Sequence, residues 1–143
     1  MNKVFVDTNV LLYLTDKSSI FNLESRLILK NLKITNYFGI VNSYVINEYH
    51  YQICRQYSKK EAMKITTELL KLPNLEYKDI EFTKKDIIEV TKISNKYNLK
   101  TFDAYHAYYC KKEKIKQIAT FDSDFKNIPW LKIYHQARGE RGI

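Results

Sequence analysis

Four carboxylates stand where a sequence of this kind could use them together. Asp7 closes the apolar run KVFV, Glu48 lies in NSYVINEYHY, Asp103 in TFDAYHAYY and Asp122 in IATFDSDF. A carboxylate at the end of a buried strand loses its hydration and is costly unless something pairs with it. Each of the others has an ordinary explanation. Asp103 could complement a helix macrodipole, Asp122 or Asp124 could cap a turn, and Glu48 could be a solvated helix residue. Brought to one rim, four acids repel and do not all stay ionised unaided. A divalent cation resolves the conflict. Oxygen donors suit Mg²⁺ or Mn²⁺, and no His/Cys cluster argues for zinc. Magnesium takes only one or two carboxylates directly, so the remaining acids would hold waters or a second ion. Such a site can activate water and stabilise the charge of an in-line attack on a phosphodiester.

The elements that must position these acids alternate between strand and helix. Short β-branched or aromatic runs at 3–6, 39–41, 76–80, 117–120 and 131–134 read as strands. Helical spacing of apolar residues covers 9–15 and 23–32. Ser43 is expected to cap a helix to about Tyr57, and Ser58 with Glu61 forms an S-x-x-E box opening a helix that Pro73 stops. Thr83 is expected to cap a helix to Tyr97, and Thr101 another, TFDAYHAYYCKKEK. The pattern predicts an α/β fold: three layers, with helices on both faces of a mostly parallel sheet of about four or five short strands. Functional groups in such sheets gather beyond the carboxyl ends of the strands. Asp7 and Asp122 follow strands, Glu48 lies in the second turn after a strand, and Asp103 opens a helix running back from the same edge.

At 143 residues the chain is expected to form one domain over 1–135 with a polar tail at 136–143. Its 24 Lys+Arg against 16 Asp+Glu leave a net charge of +8, which favours polyanionic partners. Some of its 12 tyrosines could stack on bases. Cys54 and Cys110 share no CxxC pair and read as reduced thiols. No apolar run approaches the roughly 18 residues of a membrane span, and Asp7 interrupts the only stretch resembling a leader. A cytoplasmic protein without membrane contact is expected.

VFVDTNVLLYL, NSYVINEYHY, TFDAYHAYY and IATFDSDF resemble, in order, the four motif regions of PIN-domain ribonucleases. The match is closest to the small single-domain toxins of VapBC-type toxin–antitoxin modules. The resemblance implies a metal-dependent endoribonuclease acting on tRNA, rRNA or mRNA, usually a homodimer, silenced by a cognate antitoxin whose segment enters the acidic site. Residue by residue, Asp7, Glu48 and Asp103 match the first three acids, with Asp7 and Asp103 as usual direct ligands of Mg²⁺ or Mn²⁺. Asp122 matches the fourth, and Asp124 would support it through water. Asn9 and Thr120 match polar residues that orient the acids or the attacking water. His106, three residues after Asp103, is assigned packing or a supporting role. The stretch between Asp16 and Tyr37 lacks the acids expected of a site segment and is assigned to packing or dimer contacts.

Other classes fit less well. A phosphatase with an aspartyl nucleophile carries D-x-D where this chain has Asp7 and Asn9, and a receiver domain needs an acidic pair that is absent. A catalytically silent PIN-like RNA-binding or assembly module would have lost the acids, all of which are present. A housekeeping RNA-processing nuclease would share every motif with a toxin.

Overall fold

The computed structural model describes residues 2–134, and the tail expected at 136–143 lies outside them. Strand β1 (Lys3–Val6) forms where expected and buries Val4, Phe5 and Val6 completely. β2 (Phe38–Val41) lies on one side of it and β4 (Gln117–Ala119) on the other, each parallel to it. With β3 (Leu75–Tyr77) and β5 (Lys132–Ile133) at the edges, the order is β3-β2-β1-β4-β5, and every pairing is parallel. Helices α1 (Thr8–Thr15) and α2 (Asn22–Ile34) connect β1 to β2, and α3 (Ser43–Cys54) and α4 (Lys59–Leu70) connect β2 to β3. Helices α5 (Lys84–Tyr97) and α6 (Thr101–Glu113) then cross back to β4. Right-handed crossovers running in opposite directions place the first four helices on one face and the last two on the other. The packing agrees, since α1 contacts α2 and α3, α3 contacts α4, and α5 contacts α6.

Gly39 lies where the sheet is closely packed. A Cβ there would stand 2.9 Å from Cγ2 of Val6 and 3.4 Å from Cδ1 of Leu32, so a larger residue would force the Val6 side chain on β1 to shift.

Several boundaries differ from expectation for identifiable reasons. The third strand ends at Tyr77 instead of Ile80, because its partner β2 stops at Val41, whose carbonyl accepts the Lys78 N–H at 2.8 Å. Asn42, not Ser43, caps α3: its side chain accepts from the Val45 N–H, while the Ser43 N–H goes to Asp79. That helix ends at Cys54, where Arg55 and Gln56 close tighter turns onto Gln52 and Ile53. Ser58 caps α4, yet the box with Glu61 is only half formed, as the Glu61 carboxylate accepts from the Ser58 hydroxyl. Thr101 is the first helical residue of α6; Lys100 occupies the cap position and offers no side-chain bond. Thr83 caps α5 with a complete capping box to Asp86.

Candidate active site

Because all five strands point one way, their carboxyl ends share one edge, and the helix α6, which precedes β4, begins there. Asp7 is buried at the end of β1. It also caps α1, one residue earlier than the sequence suggested, by accepting the Thr8 N–H at Oδ1 (2.8 Å). Its Oδ2 accepts the Thr120 hydroxyl at 2.8 Å. Thr120 is the hub between the two strand ends. Its oxygen also accepts from Asn9 Nδ2 at 3.3 Å and from the Asp122 N–H at 3.0 Å. The Asn9 side-chain carbonyl in turn accepts the Phe121 N–H at 3.3 Å. Asn9 and Thr120, the two polar residues singled out in the sequence, thus tie Asp7 to the loop that carries Asp122.

Asp103, Asp122 and Asp124 each bring a carboxylate oxygen to within 4.8 Å of the others. Asp122 caps the short 3₁₀ turn Ser123–Asn127 by accepting the Asp124 N–H at 2.9 Å, which holds both acids of that loop in place. Asp124 thus stands nearer the cluster than a merely peripheral supporting acid would. Burial pushes the Asp7 carboxyl above its ordinary range, and the charge of Asp122 adds to the effect. Asp103 is pushed up to about 7 by burial and then by the charges of Asp7 and Asp122, the latter also hydrogen-bonded to it. Lys100 pulls in the opposite direction without cancelling the rise.

His106 does not neutralise these acids. It is buried among Phe5, Tyr44 and Tyr105, and burial lowers its pKa to about 4, which leaves it uncharged at neutral pH. Its Nε2 lies 3.8 Å from Asp7 Oδ1, beyond hydrogen-bond length, and its Nδ1 has no partner among the described residues. Its expected packing role accords with its place against Phe5.

Glu48 stands apart from the close trio. It lines a neighbouring cavity of about 530 Å³ together with Tyr44, Tyr51, Phe102 and Tyr105, and its charge is felt by His106 and Tyr44. The tyrosine content alone does not say which rings gather here, although Phe102 directly precedes Asp103 and Tyr105 lies one turn after Phe102.

The cluster fits a hard divalent cation. Its donors are carboxylate oxygens only, they lie close together, and among the described residues only Lys100 opposes the rise at Asp103, without cancelling it. Both cysteines are free thiols, Cys110 fully buried.

Residues 4–131 match the PIN domain family. Ribonuclease VapC2 of Methanocaldococcus jannaschii is 32% identical, over 92% of this chain and 93% of that protein. Among solved structures, VapBC2 from Rickettsia felis bound to a DNA fragment from its promoter aligns with a TM-score of 0.67 at 19% identity, covering 92% of this chain and 97% of the other. Mycobacterium tuberculosis VapC20, a sarcin-ricin loop cleaving toxin, aligns with a TM-score of 0.68 at 16% identity, covering 90% and 96%. No helix among the described residues is long and apolar enough to cross a membrane.

Proposed function

The chain belongs to the PIN-domain family, and from that premise we propose that it is a metal-dependent endoribonuclease, the toxin of a toxin–antitoxin pair. The observation that carries this reading is the gathering of Asp7, Asp103 and Asp122 at one strand edge, with the Asp103 carboxyl pushed up to about 7 by its neighbours. A protein that only needed to fold would not keep uncompensated acids there.

Asp7, Asp103 and Asp122 would hold Mg²⁺ or Mn²⁺ with Asp124 in support, and Glu48 would reach the site from the adjoining cavity. When bound, the ion supplies Lewis-acid polarisation of the scissile phosphate and a water nucleophile at neutral pH. The chain's own residues then orient and exclude. Thr120 donates to Asp7, Asn9 holds Thr120 and the Phe121 N–H, and the Asp122 cap holds the loop. The net charge of +8 favours attraction of an RNA backbone to the surface around the acids. VapC2 is named a ribonuclease, and the neighbouring VapBC structures pair a toxin with its antitoxin, which supports the same substrate class and partner here. Exposed Ile20, Leu23 and Ile34, on the segment assigned to packing or dimer contacts, support pairing with a second copy.

Purified, antitoxin-free protein incubated with total cellular RNA tests the proposal. We expect discrete products with Mg²⁺ or Mn²⁺, none with EDTA, and none from a folded Asp7→Asn variant. Equal cleavage by Asp7→Asn would remove the metal-site assignment. Absence of cleavage by refolded wild-type protein would favour a binding module.

A further inference from the structure

The cavity beside the acids has a different character from the cluster itself. Tyr44 packs its ring 5.2 Å from Phe102 and 4.9 Å from Tyr105, and Tyr105 stacks on Phe82 at 4.4 Å with a 16° interplanar angle. Two rings remain open to solvent: Phe102 is 53% exposed and Tyr51 62% exposed. Asn47, Gln52 and the acid Glu48 line the same cavity. Exposed aromatic rings grouped at a cavity mouth are the kind of apolar patch that marks a binding groove.

We propose that this cavity is a nucleobase subsite, taking one unpaired base of the RNA next to the bond that is cut. The proposal rests on the ribonuclease reading above and adds to it a determinant of which RNA is cut. Three observations select a base as the occupant. The volume, about 530 Å³, accommodates a nucleobase. The wall combines π-faces with residues that can donate and accept hydrogen bonds, Asn47, Gln52 and Glu48, the combination that recognition of an unstacked base uses. The subsite is also continuous with the acids. Phe102 precedes Asp103 in the chain, and Tyr44 meets the edge of His106 at 5.6 Å, whose Nε2 is 3.8 Å from Asp7. A nucleotide with its phosphate at the carboxylates therefore has its base, or the next one, within reach of these rings.

The test uses single-stranded RNA oligonucleotides carrying 2-aminopurine at successive positions, bound in EDTA and then cut in Mn²⁺. Wild-type protein is expected to quench the fluorescence at one position by stacking. Phe102→Leu and Tyr51→Leu, exposed sites where side-chain volume is largely kept and the ring is lost, should abolish that quenching and lower kcat/KM roughly tenfold, through KM. An abasic residue at the same position should cost the wild type a similar factor and add nothing in the variants. Unchanged quenching and unchanged kcat/KM in both variants would overturn the subsite, including the case in which they lose affinity for a peptide partner instead. Quenching by a wild type that never cuts RNA would leave the subsite standing and remove the nuclease reading.

Discussion

Two aspartates occupy the same position on adjacent helices and meet opposite fates. Asp86 is the third residue of α5 and Asp103 the third of α6, so both enjoy the favourable end of a helix dipole. Around Asp86 the fold supplies everything a carboxylate wants: the Tyr108 hydroxyl, the Thr83 backbone N–H and hydroxyl, and the Lys112 ammonium at 3.1 Å. Those hydrogen bonds, Tyr108 first, hold Asp86 well below the usual carboxylate range. Around Asp103 the fold supplies burial and two more acids, and the same group rises to about 7. Helix position therefore does not decide the charge state; the neighbours do. One aspartate stabilises the fold, and the other is kept where it opposes folding, the signature of a residue retained for chemistry.

The comparison breaks most sharply on activity. Asp103→Asn should lower metal-dependent RNA cleavage by on the order of a thousandfold, since a metal site contributes several kcal/mol to such a reaction. The same variant should be at least as resistant to denaturant as the wild type at pH 8 in EDTA, because a repelled charge is gone. Asp86→Asn should do the reverse, keeping cleavage near wild type while unfolding earlier. If Asp103→Asn unfolds earlier and cuts normally, the two aspartates have been assigned the wrong way round.

Divalent ion sharpens it next. A ligand that binds only the folded chain, present at about a hundred times its Kd, adds about 2.7 kcal/mol of stability. Titration of Mn²⁺ against the denaturant midpoint should show a gain of this order in wild type and in Asp86→Asn. It should show little in Asp103→Asn. Equal gains in all three proteins would place the ion elsewhere.

How far the sequence reveals this contrast depends on the range of the forces involved. The strand 3–6 and the acid that follows it are legible because β-branched runs and a terminating charge are local signals. The capping box of Thr83 and Asp86 is local as well: Thr83 is legible as the cap, and Asp86 three residues on completes the box. Asn42 and Ser43 are both good caps, and only the position where β2 ends, together with Asp79 36 residues away, decides between them. The placing of Glu48 outside the close trio depends on how α3 leans against α6, which no spacing within either segment encodes. Likewise the rings of Tyr44, Phe82 and Phe102 lie far apart in sequence and meet only once both faces of the sheet are covered.

The smallest expected effect is also the most diagnostic, since it reads both aspartates in one pH series. Unfolded, each titrates near about 3.9. Asp103 is raised in the folded state, so between about pH 4 and 7 the native protein holds a proton that the unfolded chain has released. Stability therefore falls as pH rises through that window in EDTA, and Asp103→Asn should flatten the slope. Asp86 is lowered, so its contribution is in place above about pH 4 and is lost as pH falls below it. Asp86→Asn should accordingly lie well under the wild type at pH 7 and converge on it in acid. Denaturant midpoints at pH 3, 5 and 8 distinguish the two, because one variant gains on the wild type toward alkali and the other toward acid. Parallel curves for all three proteins would mean that neither neighbourhood perturbs its aspartate, and the contrast between a structural and a chemical carboxylate would fall with them.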